Sequence, residues 1–195
     1  RRGAGGAPGA APASLAGAVQ GKGEGSGNGQ GNGKPRELEL YNELGEPAAD
    51  GKSLQHYLRA LKDANPDVRT RAAHTLGRIR DIRALGPLLK ALQDTNKGVR
   101  GQAAFALGEL GDKRAVVPLA GALMDKESEV VRWMVARALQ NIGDKKAIKP
   151  LEQALKALEQ ALQAQKDDGK EVNEQAVDTR EEFQKALKAL RKKWW

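Results

Sequence analysis

Apolar residues from about position 63 onward repeat with two periods at once. The short period is helical: Val68, Ala72, Leu76 and Ile79 fall on one side of a 3.6-residue turn, as do Val99, Ala103, Leu107 and Leu110, then Val131, Val135, Leu139 and Ile142. The long period is 31 residues: Asp63, Asp94 and Asp125 keep it throughout, while Arg69 and Arg100 are followed by Arg132 after 32. Leu76, Leu107 and Leu139, Asp81, Asp112 and Asp144, and Pro87, Pro118 and Pro150 form three further columns. Each unit reads as two helices, in the second unit Pro87 to Leu92 and Val99 to Leu110. Between them Asp94-Thr95-Asn96 supplies turn and N-cap chemistry, because short polar side chains satisfy the first free amides of a helix. Asn65-Pro66 and Ser128 take that place in the neighbouring units, and Gly111 and Gly143 suit left-handed helix stops.

One such hairpin cannot bury its apolar side, but stacked hairpins can. The pattern therefore predicts an all-α chain, a short α-solenoid of about four helical hairpins spanning residues 53–195. Its units are about 53–81, 82–112, 113–144 and a divergent capping hairpin, 145–195. In the last unit LEQALKALEQALQAQ carries the first helix past the usual turn. A loop at Asp167 to Lys170 and a final helix from about Asn173 to Trp195 follow.

Residues 1–52 read differently, as a Gly/Ala-rich extended arm or linker holding 14 of the 23 glycines. In Gly21 to Gly33, GKGEGSGNGQGNG, ordering would cost backbone entropy with almost nothing apolar to bury in return. A phosphate-cradling loop does not fit, since no strand precedes it and no Gly-Lys-Ser/Thr follows. The arm is expected to be a flexible linker or to lie along a neighbouring subunit, with one short helix at Pro35 to Leu44. The opening Arg1-Arg2 reads as a trimmed product, and Ser14-Leu15-Ala16 would pass as a small-x-small cleavage site. Compartment is left open, cytoplasmic or exported.

The repeating pattern, PLxxAL, a turn Asp, VR at the helix start and AAxALGxLGD, resembles the HEAT-like repeat of the phycobilisome-lyase class. The likeness is strongest over 82–144, good over 53–81 and faint beyond 150. It implies a structural ladder between adjacent units, drawn from Asp63, Asp94 and Asp125 with Arg69, Arg100 and Arg132. It also implies a concave face lined by the second helices. Counted by period, that face would carry Arg71, His74 and Arg78, then Gln102, Phe105 and Glu109, then Met134, Arg137 and Asn141. Apolar residues beside arginines make a protein-binding stripe, unless Phe105 and Met134 instead pack sideways between repeats.

Composition narrows the chemistry. Without cysteine there are no disulfides, thiolate metal sites or thiol nucleophiles. His56 and His74 are not followed by Glu, so the paired His-Glu iron ligands of a related hydroxylase family are missing, and no nucleophile elbow such as Gly-x-Ser-x-Gly occurs in a strand-to-helix context, the Gly25-Ser26-Gly27 trio lying in the arm. No metal or other cofactor is expected and the chain reads as a non-enzyme. The net charge of +8 is spread along the helical units as +4, +1 and +3, too thin for a nucleic-acid stripe. No 18-residue apolar run exists to span a membrane. In the last helix Phe183, Leu187, Leu190 and Trp194 share a face among lysines, with Lys192 and Trp195 at its end. This reads either as a docking helix for a protein or anionic membrane, or as the cap of the solenoid. The expected role is a protein-binding scaffold or accessory subunit of a larger assembly. Accessory work in bilin attachment and gripping of a nucleic-acid backbone are the alternatives.

Overall fold

The computed structural model describes residues 51–125, 127–169 and 171–194. The glycine arm, the short helix expected at Pro35 to Leu44, and Trp195 lie outside the described residues. Eight α-helices follow one another there, and no strand. They are α1 (Gly51–Ala60), α2 (Pro66–Ile79), α3 (Leu85–Ala91), α4 (Lys97–Leu110), α5 (Val116–Ala122), α6 (Glu129–Ile142), α7 (Ile148–Asp167) and α8 (Glu174–Trp194). Short 3-10 turns, Ile82–Ala84, Lys113–Ala115 and Lys145–Ala147, lead into α3, α5 and α7.

Local chemistry sets the helix ends. The side chains of Asn65, Asn96 and Ser128 accept hydrogen bonds from the first amides of α2, α4 and α6, with Pro66 at a position where its missing amide costs nothing. Gly111 and Gly143 stop α4 and α6 at φ 70° and 68°. In the first unit the same place is held by Arg80 at φ 55°, a conformation that costs a non-glycine residue about 1 kcal/mol. Asp81, Asp112 and Asp144, which end each sequence unit, act on the next one. Each carboxylate accepts from the amide two residues on and so caps the following 3-10 turn.

The second helices α2, α4 and α6 lie side by side and make the most extensive contacts in the molecule. Each first helix packs on its own second helix. Helix α8 extends the inner layer by packing on α6, with α7 behind it. The core is a continuous aliphatic seam in which Leu76, Leu107 and Leu139 are wholly buried at one position of successive units.

What lets the second helices approach so closely is glycine. A Cβ on Gly77 would lie 2.8 Å from Ala106 Cα, and one on Gly108 only 2.7 Å from Ala138 Cα. Those are backbone atoms, so a larger residue would push whole helices apart. Gly108→Ala is therefore expected to cost about 1–3 kcal/mol through overpacking. Gly86→Ala, in open space on α3, should instead stabilise by about 0.5–1 kcal/mol. Urea midpoints of the two variants, at unchanged m-value, check the contrast.

Candidate partner-binding surface

Two inter-unit rungs hold the turn side of the array. The Arg69 guanidinium donates through Nε and Nη2 to both carboxylate oxygens of Asp94, at 2.7 and 2.8 Å, and through Nη1 to the carbonyls of Asp63 and Ala64. Arg100 repeats this one unit later. Its Nε donates to Asp125 at 2.7 Å, its Nη2 to Glu127 at 2.8 Å, and its Nη1 to the carbonyls of Asp94 and Thr95. The same carboxylates shape their own turns: Asp94 accepts from the Asn96 amide, and Asp125 from the amides of Glu127 and Ser128. The hydrogen bond from Arg69 holds the Asp94 carboxyl below the ordinary carboxylate value, against burial, which pushes it up. For Asp125 burial is the largest influence and acts upward, yet Arg100 and the turn amides together still bring it down. The outer members behave differently. Asp63 gives its carboxylate to the Asn65 amide. Arg132 meets no following aspartate and pairs with Glu129 of its own helix.

The residues expected on the second-helix face divide into two groups. His74 and Phe105 stack face to face, ring centres 6.2 Å apart and planes within 6°, so Phe105 is half-buried against the preceding unit. Met134 leans sideways onto Gly101, where a Cβ would lie 2.7 Å from its sulfur. Glu109 pairs with Arg80, and Gln102 is half-buried. Arg71, Arg78, Arg137 and Asn141 are exposed, with the Arg137 guanidinium 5.2 Å from the centre of the Trp133 ring. The stripe is thus more polar than the sequence period implied, because its two large apolar members are partly used between repeats.

Helix α8 corrects the docking reading. Phe183, Leu187 and Leu190 are 1, 5 and 1% exposed, covered by the chain's own helices, so its apolar face closes the solenoid and is not open to a partner or membrane. Lys192 stays exposed. Trp194 is half-exposed and its Nε1 donates to the Gly143 carbonyl at 3.0 Å, with Lys145 and Lys193 near its ring. The indole therefore seals the C-terminal end of α6.

Residues 38–98 and 85–178, together well over half of the chain, match the sequence profile described as HEAT repeats. The chain is a HEAT-repeat protein. Among solved structures it is similar to the complex of CpcE and CpcF of phycocyanin lyase from Nostoc sp. PCC7120. The identity is 28% and the TM-score 0.56, over 69% of this chain and 53% of that one. It thus spans about half the length of that relative. An engineered protein superposes with a TM-score of 0.48 at 22% identity, covering 74% of this chain and 64% of its own. No curated protein gives a significant match.

Sequence periodicity passed over one surface of this HEAT array. Val117 and Met124 on the α5 side are 72 and 56% exposed, and they line a groove of about 430 Å³ with Leu92, Pro118 and Ala122. Counting back 31 residues gives Gly86 and Gln93, and 62 gives Gln55 and Lys62. An apolar pair in columns that otherwise hold glycine, glutamine and lysine was the available signal. Among described residues no cluster of His, Asp and Glu has the makings of a metal site, and no helix is long and apolar enough to cross a membrane.

The rungs set a pH dependence. Because the folded carboxyls of Asp94 and Asp125 sit below their unfolded value of about 3.8, their stabilisation is complete above that value and is lost as pH falls through the folded one. Asp125→Asn should lower stability at pH 7 by about 2–4 kcal/mol, since it takes from a largely buried guanidinium the better buried of its two carboxylates. The variant should also lose less further stability than the parent between pH 5 and 2. Chemical denaturation across that range checks both.

Proposed function

We propose that this HEAT-repeat protein is a non-catalytic scaffold, an accessory subunit that holds a protein partner on its second-helix face within a larger assembly. The observation that carries the reading is the His74–Phe105 stack. It leaves one edge of an aromatic pair on a face where Arg71 and Arg137 are exposed. A rigid aromatic edge beside arginines is the usual core of a protein-binding patch, because it loses little conformational entropy on docking. Similarity to a two-subunit complex supports the same view. Its test is affinity purification with mass spectrometry, repeated with Phe105→Ser combined with Arg137→Glu. The double variant should keep its helical circular dichroism and lose the captured partner at least tenfold. Undiminished recovery would remove this site.

A second reading, accessory work in attaching a bilin-like cofactor to another protein, is favoured by the 28% identity to the phycocyanin lyase complex. A monomeric native preparation carrying visible chromophore absorbance would establish it over the scaffold. Colourless protein migrating with fixed partners would reject it.

A further inference from the structure

The third rung of the ladder is missing its carboxylate, and a cavity stands in its place. Arg69 and Asp94 are 25 residues apart, as are Arg100 and Asp125. The residue 25 after Arg132 is Ala157. In the earlier units the chain turns at this point, whereas α7 runs straight through it and on to Asp167. The continued helix roofs a cavity of about 120 Å³, lined by Arg132, Glu129 and Gln165 together with Ala154, Ala157 and Ala161. Three polar atoms of that lining, Arg132 Nε, Glu129 Oε2 and Gln165 Oε1, are buried without a hydrogen-bond partner. Buried polar groups are nearly always satisfied, and leaving one unpaired costs about 1–3 kcal/mol. Of the three, Arg132 Nε is a donor and the Gln165 amide can become one by a flip, so both call for an acceptor inside the hollow, whereas the Glu129 oxygen is itself an acceptor on the residue already paired with Arg132.

Arg100 shows what that acceptor is. It holds two carboxylates at once, Asp125 on Nε and Glu127 on Nη2. In the third unit Glu129 occupies Nη2 of Arg132, as Glu127 does for Arg100, and Nε is left over. The Nε position is the one that an aspartate fills in both earlier rungs. The Gln165 amide, whose nitrogen and oxygen are interchangeable by a flip, offers a second donor across the hollow. Burial also holds Arg132 below the ordinary arginine value, a cost that the charge of Asp125 only partly offsets.

We propose that this cavity is a carboxylate-binding site, which takes from outside the acid group that Asp94 and Asp125 supply from within. The source is a small organic acid or the acidic side chain of a bound polypeptide. The volume accommodates a carboxylate on a short carbon stem, several times the space one water needs. The proposal makes no use of the second-helix face, and its outcome is independent of whether a protein docks there.

The test is the Arg132 Nε–H resonance of the ¹⁵N-labelled protein, titrated with sodium acetate against sodium chloride at matched ionic strength. Acetate should shift it downfield to a plateau, and chloride should not. Ala157→Asp, which restores the 25-residue register, should show the shifted resonance without acetate and no further response. Ala157→Val, which fills the hollow and leaves Arg132 in place, should abolish the acetate response while keeping its circular dichroism. An Asp tripeptide with blocked ends distinguishes the sources. Half-saturation at lower concentration than acetate assigns the site to a polypeptide acid, and at higher concentration to a free one. A response to acetate that never saturates, equals that to chloride, or survives in Ala157→Val would mean a water-filled cavity only and would overturn the proposal.

Discussion

The array depends on how near two helix backbones can come. Gly77 against Ala106 and Gly108 against Ala138 leave no room for one more methyl group. These contacts draw α2 to α4 and α4 to α6, so that Leu76, Leu107 and Leu139 are wholly buried in one seam. Dispersion and hydrophobic burial then act over the full length of three parallel second helices, which short first helices of seven residues such as α3 and α5 could not secure alone. The ion-pair rungs add orientation. A bidentate guanidinium also bonded to two turn carbonyls fixes the angle between units as well as their spacing.

Both devices stop at the same interface. The glycine column of residues 77 and 108 continues as Gln140, and the aspartate column of residues 94 and 125 continues as Ala157. With Gln140 in place of the glycine on α6, another identical helix could not settle against it. The longer α8 covers it instead, with Phe183, Leu187 and Leu190 filling the seam. The end of the solenoid is thus written as two simultaneous departures, one in packing and one in charge.

Much of this was legible beforehand. Repeat spacing, paired helices, the caps at Asn65, Asn96 and Ser128 and the stops at Gly111 and Gly143 rest on local chemistry, which a sequence displays directly. The close-approach role of Gly77 and Gly108 was present only as letters in a motif, because a glycine's value there lies in what another helix places opposite it. Apolar periodicity on α8 could not say which surface covers that face, so docking helix and cap stayed open until the fold settled them. The stripe fared similarly: period placed Phe105 and Met134 on one face, but only the neighbouring helices reveal that His74 and Gly101 claim part of each. Arg132 looked like the third of a set, and its difference depends on a partner 25 residues away that the sequence does not contain.

Helix α8 is hydrogen-bonded to α6 at two separated points. Thr179 shares its hydroxyl proton between the Gln175 and Glu129 carbonyls near one end, and Trp194 bonds the Gly143 carbonyl at the other. The span between them is the 14 residues of α6, roughly 21 Å at 1.5 Å per residue. Swinging α8 by about 5° around either point would carry the other about 2 Å, enough to break a hydrogen bond. A fastening at each end of a lever resists torque far better than two side by side. The final joint, although it lacks both the glycine contact and the rung, is therefore braced against twisting by leverage.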